Sequence, residues 1–200
     1  NALLEANPGG APCDVLAMLG KLGKKTAFIG KVGNDQFGNM LRNTIESVGI
    51  DAEGLVIDDK VHTTMAFVHT YPDGDRDFSF YRNPGADMML RKEEVSLDKI
   101  CASKIFHFGT LSFTHAGIRT ASQYAIQCAK EAGALISFDP NLREPLWENL
   151  EDARKAIEYG MECCDILKIS DNELTFMTGE KDYDKGAVLL QQKYQIPLVC

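Results

Sequence analysis

The chain has 200 residues, 44% hydrophobic and 25% charged, with only seven prolines, a composition that excludes a disordered tail and supplies a core for one globular domain. Its net charge of −8 and pI near 5.0 argue against nucleic acid or an anionic membrane as partner, since either needs a basic face. No apolar run reaches the length of a membrane span and no leader pattern opens the chain, so a cytoplasmic location is expected.

Taken in order, Pro12 to Leu22 carries Val15, Leu16, Leu19 and Leu22 at helical spacing, with Gly23 as a stop. Thr26-Ala27-Phe28-Ile29 predicts a short buried strand ending at Gly30. Asp35 is placed to cap a second helix whose Phe37, Leu41, Ile45 and Val48 form one stripe, ended by Gly49. Between Val61 and Arg82 the period changes to two. Thr64 to Thr70 and Arg76 to Arg82 flank Pro72-Asp73-Gly74-Asp75, the pattern of an antiparallel hairpin. Phe78, Phe80 and Arg82 then share one face, and Ser79 and Tyr81 the other.

From Lys104 onward strand and helix alternate: a strand from Ile105 to Gly109, a helix capped by Thr114, and a strand from Leu135 to Asp139. A helix through Ala153, Ile157 and Met161 follows, then a strand from Ile166 to Ile169 and a short helix ending at Gly179. A last helix from Asp184 leads to the strand Pro197-Leu198-Val199. Repeated βα units predict an α/β layered fold, a mostly parallel sheet with helices on both faces. The hairpin, about residues 61–83, interrupts it as a lid.

The six cysteines, Cys13, Cys101, Cys128, Cys163, Cys164 and Cys200, show no metal-finger spacing and are expected to be buried, reduced thiols. His62, His69, His107 and His115 have no ligand spacing either. Gly23-Lys24-Lys25-Thr26 lacks the upstream glycine of a phosphate-binding P-loop and precedes a strand rather than a helix.

In parallel sheets ligands collect beyond the carboxyl ends of strands. Gly9-Gly10 before Pro12 lets a backbone approach a ligand closely, although a glycine pair before a helix is as readily a plain turn. In Asp139-Pro140-Asn141-Leu142-Arg143, Pro140 ends the strand and presents Asp139, Asn141 and Arg143 on a loop. Arg143 is a planar fork donor suited to phosphate or sugar oxygens, and a solvated loop with an Asx turn is the alternative. Ser170-x-x-Glu173 is a helix-capping box, with Lys168 just before it.

Gly9-Gly10-Ala11-Pro12, then Phe28-Ile29-Gly30-Lys31-Val32-Gly33-Asn34-Asp35-Gln36-Phe37-Gly38, together with the Asp-Pro-Asn-x-Arg loop, resembles the ribokinase-like (PfkB) carbohydrate kinases, bacterial fructokinases in particular. The resemblance implies a ribokinase-like fold and ATP-dependent phosphorylation of a sugar, fructose to fructose 6-phosphate, with ATP and Mg2+ as cofactors. It implies Gly9, Gly10, Asp14, Arg82, Asp139, Asn141 and Arg143 on the sugar side, with Arg143 also touching the phosphates. Lys168, Ser170 and Glu173 then lie on the nucleotide side, where the glutamate arranges magnesium and its water without a direct metal ligand being assigned. Asp14 departs from the family pattern, which carries asparagine there, so the amide donor is lost.

The expected partners are a sugar and a nucleotide, with no nucleic acid and no membrane, and the aromatic faces of the hairpin suit either pairing with a second copy as a homodimer or closing over the sugar. The family's aspartate before Gly-Gly and its catalytic Gly-Ala-Gly-Asp do not occur in the sequence. The expectation is the central part of a longer kinase, inactive by itself. A 2-keto-3-deoxygluconate kinase, with Arg82 and Arg143 facing the acid's carboxylate, and a noncatalytic sugar-binding or regulatory domain are the alternatives.

Overall fold

The computed structural model describes residues 4–200. Two compact units divide the chain, one ending at Leu90 and one running from Arg91 to Cys200.

In the first unit, α1 (Ala11–Lys21) starts at Gly10, whose φ of 131° only glycine adopts freely, and has a proline in its first turn. The predicted strand after it is broken in two. β1 (Thr26–Ala27) and β2 (Gly30–Gly33) are separate, and they flank α2 (Gln36–Ser47), β3 (Ile50–Asp51) and β4 (Leu55–Asp58) in a pair of parallel ladders, β1 with β3 and β2 with β4. The break has a cause in the partner. Phe28 N–H donates to Asp51 O at 3.0 Å, whereas Gly30 N–H donates to Gly54 O at 3.3 Å. The chain thus changes partner strand within two residues. Gly54 permits this because a Cβ there would lie 2.7 Å from Phe28 O.

Asp35 caps α2 as expected, and Leu41, Ile45 and Val48 face a small core of Val32, Ile50, Ala52 and Leu55. Phe37, predicted in the same stripe, is exposed; it stands in the first turn, ahead of the part of the helix that meets the core. β5 (Met65–Thr70) and β6 (Arg76–Tyr81) pair antiparallel, Met65 opposite Tyr81 and Thr70 opposite Arg76, around a turn with Gly74 at φ 89°. The two faces fall as the period of two predicts: Phe78 and Phe80 stack at 5.9 Å, and Phe67 meets Tyr81 edge-on at 5.2 Å.

The second unit runs α3 (Leu97–Cys101), β7 (Ile105–Gly109), α4 (Ala116–Glu131), β8 (Leu135–Asp139), α5 (Leu150–Cys163), β9 (Ile166–Leu167), α6 (Asp171–Thr178), α7 (Tyr183–Tyr194) and β10 (Leu198–Val199). Its sheet is wholly parallel in the order β10-β9-β8-β7, with Ile105 opposite Leu135 and Ser137 opposite Ile166. Phe108, Ile136, Phe138 and Leu167 are buried on one face, the rings of Phe108 and Phe138 stacked at 4.7 Å. Buried Ala121, Ala125 and Ala129 on α4 and Ala153 and Gly160 on α5 are small enough for both helices to reach β8.

Several boundaries differ from expectation by a residue or two. His115, not Thr114, caps α4, its Nδ1 accepting Gly117 N–H at 3.2 Å, because the Thr114 hydroxyl donates to Leu111 O in a preceding 3-10 turn. β9 is regular only to Leu167, two residues short of the expectation, although Lys168 N–H still donates to Phe138 O at 2.9 Å and Ile169 N–H to Cys200 O at 3.0 Å. Of the cysteines only Cys164 is buried, and Cys101 and Cys200 are exposed; their positions at a helix end and after a strand leave them open to solvent. Among the described residues no helix is long and apolar enough to cross a membrane.

The Phe138 ring occupies the space a Cβ at Gly160 would need. In the whole protein Gly160→Ala is therefore expected to destabilise, its overpacking at the upper end of about 1–3 kcal/mol outweighing the roughly 1 kcal/mol gain in helix propensity. Urea denaturation checks this, and adding Phe138→Leu should restore part of the loss.

Candidate functional site

In the first unit, Gly9 and Gly10 are exposed with open space where a Cβ would be, and Asp14 is exposed in the first turn of α1. The Gly33-Asn34-Asp35 element is a polar knot. Asp35 Oδ1 accepts Gly38 N–H and the Thr63 hydroxyl, each at 2.8 Å, and Oδ2 accepts Thr63 N–H at 2.8 Å. Thr63 Oγ1 in turn accepts Gly33 N–H at 3.0 Å. Gly33 must lack a side chain, since its Cβ would fall 2.6 Å from both Asp35 Oδ2 and Thr63 N. Burial pushes the Asp35 carboxyl up, but the hydrogen bonds from Thr63 and Gly38 outweigh it and hold the group below its ordinary value.

Two ion pairs were not legible in the sequence. Lys31, its side chain 6% exposed, reaches Asp58 Oδ2 at 3.1 Å and donates to Met89 O at 3.3 Å. The Lys60 N–H, then Lys31 and Val61, hold Asp58 below its usual range against the effect of burial. A lysine inside a buried strand was the only signal. Arg82, assigned to the sugar side, has a side chain 5% exposed that grips Asp87 Oδ2 through Nη2 at 2.6 Å and Nε at 2.8 Å. The Thr64 hydroxyl donates to the other Asp87 oxygen at 2.5 Å. Arg82 thus ties the foot of the hairpin to the turn at Gly85-Ala86-Asp87.

In the second unit the structure brings six of the expected residues together at the carboxyl ends of β8 and β9. Asp139 Oδ1 accepts Asn141 N–H at 3.2 Å in an Asx turn, and Lys168 Nζ lies 3.2 Å from Oδ2. Asn141 takes a left-handed φ of 45°, which asparagine tolerates. Arg143 Nη1 donates to Leu142 O at 3.0 Å. Ser170 and Glu173 form the expected capping box: Ser170 Oγ accepts Glu173 N–H at 3.4 Å, and Glu173 Oε2 accepts Ser170 N–H at 3.0 Å. Beneath them His107 Nδ1 meets Ser137 Oγ at 3.0 Å. Burial, only partly offset by the charge of Asp139, lowers the His107 pKa. Thr110, fully buried, was missed; its hydroxyl donates to Pro140 O at 2.5 Å.

Magnesium has a poor donor set here. Among the described residues no group of three or more His, Cys, Asp or Glu could hold a metal ion. Both Glu173 oxygens accept backbone N–H groups, and Asp139 holds Lys168 and Asn141. The carboxylates of this site do not fit a protein-held magnesium.

A parallel sheet whose strand ends present a pinned arginine loop and a capped helix start has these polar groups where α/β proteins collect small ligands. The model of the pfkB family carbohydrate kinases matches residues 3–199. Probable fructokinase-2 of Arabidopsis thaliana is 48% identical over 177 residues, which is 88% of this chain and 54% of that protein. Fructokinase-2 of Solanum lycopersicum is 47% identical over 182 residues, 91% and 56%. The crystal structure of fructokinase from Xylella fastidiosa superposes with a TM-score of 0.85 at 31% identity, over 99% of this chain and 63% of that one. The fructokinase of Vibrio cholerae O395 with fructose, ADP and calcium bound gives 0.84 at 30%, over 96% and 61%. The chain spans about half the length of the curated relatives it matches. It belongs to the pfkB family of carbohydrate kinases, and its fold is ribokinase-like.

Because the folded Asp35 carboxyl sits below its unfolded value of about 3.9, its stabilisation is complete above that pH and is lost as pH falls through the folded value. Asp35→Ala is expected to cost about 0.5–2 kcal/mol at pH 7, and urea midpoints measured down to pH 3 should show the gap closing.

Proposed function

We propose that the whole protein transfers the terminal phosphoryl group of ATP to fructose, giving fructose 6-phosphate, and that this stretch supplies sugar-side and phosphate-side loops. The observation that carries the reading is the pinned Asp139–Arg143 loop beside Lys168. Phosphoryl transfer asks a protein chiefly for positioning and for charge opposite the phosphate oxygens. Arg143 offers a two-pronged donor and Lys168 a point charge, which Asp139 keeps near the loop. Gly9 and Gly10 give sugar hydroxyls access to backbone, and Asp14 adds an acceptor. The proton acceptor belongs to the family's Gly-Ala-Gly-Asp element, a sequence not found among these 200 residues.

The fructokinases among the relatives, and the fructose and ADP bound to the Vibrio cholerae enzyme, support this reading. It places the enzyme in the cytoplasm with its substrates. The hairpin acts as lid and homodimer face, with Val68 and a 63% exposed Tyr81 outward. In this reading Arg82 acts from the foot of that lid, through Asp87, rather than from its tip.

The test is ADP release by the full-length protein with fructose and with 2-keto-3-deoxygluconate. Faster turnover on fructose is expected. Preference for the acid, or sugar binding without ADP release, overturns the assignment. Arg143→Ala should lower kcat/KM by about 10²–10³-fold, as for loss of a charge-stabilising donor, with Arg143→Lys recovering little of it.

A further inference from the structure

Glu173 does more than a capping box requires. A capping box uses one carboxylate oxygen on the N-cap N–H, at a helix start usually open to water. Glu173 is 6% exposed. Its second oxygen, Oε1, accepts Leu142 N–H at 2.6 Å, from a loop 31 positions earlier. A buried carboxylate is tolerated only when its oxygens are satisfied, and here two backbone donors from different elements satisfy them.

The loop is held from below as well. Pro140 O accepts both the Thr110 hydroxyl at 2.5 Å and the Thr110 N–H at 3.2 Å, and Thr110 and Pro140 are both fully buried. The backbone is therefore fixed at Pro140 O and at Leu142 N, on either side of left-handed Asn141. Such a conformation persists where its surroundings over-determine it. Leu142 then hands the constraint on: its N–H goes to Glu173, and its carbonyl accepts the guanidinium of Arg143 at 3.0 Å.

We propose that Glu173 and Thr110 are positioning residues, a two-sided clamp on the Asp139–Arg143 loop that aims Arg143, and that the Glu173 carboxylate serves this clamp rather than a magnesium ion. The kinetic consequence rests on the kinase reading; the clamp itself does not. It also links the two halves of the site within this unit. The start of α6, on the phosphate side, and the arginine loop move as one body.

The test uses the full-length protein in two arms. In the first, amide hydrogen exchange is followed at Asn141 and Leu142. Glu173→Gln replaces an acceptor by an NH₂ donor facing a backbone N–H, and Thr110→Val removes the hydroxyl. Each is expected to speed exchange at Leu142 about tenfold or more, the worth of one hydrogen bond to a charged or buried partner, while Thr110→Ser restores protection. Unchanged exchange in Thr110→Val and Glu173→Gln overturns the clamp, and if Glu173→Gln does not fold, the Thr110 pair decides alone.

In the second arm a double-mutant cycle joins Glu173→Gln with Arg143→Ala. The clamp expects Glu173→Gln to lower kcat/KM for fructose about tenfold, with little further loss in the Arg143→Ala background and an unchanged magnesium half-saturation. An equal loss in both backgrounds, with magnesium half-saturation raised, overturns it. A wild type that phosphorylates no sugar defeats the kinase reading, and exchange alone then settles the clamp.

Discussion

The second unit depends on the burial of one strand. β8 lies between β7 and β9, and Ile136 and Phe138 on it are wholly removed from water. Alanines on α4 and Gly160 on α5 are the concessions the helices make to reach it. Strand burial on this scale leaves the chain nowhere to go at Asp139 except outward. Pro140 then ends the ladder, and the polar residues that follow are delivered to the edge of the sheet. The site is in this sense a by-product of packing. A close-packed core fixes where the loop begins, and hydrogen bonds at Pro140 and Leu142 fix how it continues.

What could be read from the residues was whatever repeats or punctuates. β7 and β8 match their predicted bounds because short segments with three apolar residues in the first four, closed by Gly109 and by Asp139-Pro140, leave little latitude. The hairpin register followed from its alternation and from Asp73-Gly74. The capping box at Ser170 was local and therefore visible. The break between Thr26–Ala27 and Gly30–Gly33 was not, because it arises from a change of partner strand at Gly54. Thr110, Asp87 and Asp58 escaped for the same reason. Each acts on a residue distant in sequence or across a turn, and nothing in the neighbouring residues announces the partner.

Motif residues divide into two kinds in this molecule. Gly33 and Asp35, conspicuous in sequence, spend their chemistry internally: the carboxylate accepts three hydrogen bonds and the glycine makes room for them. Arg143 and Lys168 instead stand at the sheet edge, the first donating to Leu142 O and the second paired with Asp139. A conspicuous signature can thus be a fold requirement, which its hydrogen-bond partners reveal where residue types alone do not.

The Lys31–Asp58 pair across β2 and β4 has a consequence for how this sequence can drift. Removing Asp58 takes the carboxylate from a lysine side chain only 6% exposed, a loss that costs about 3–5 kcal/mol in buried pairs, whereas replacing both by apolar residues of similar size is often neutral or favourable. The two endpoints are therefore separated by a midpoint that consumes much of a domain's stability. Lineages descending from this sequence are expected to keep both residues or to exchange both, and a lysine without its aspartate should be rarer than either.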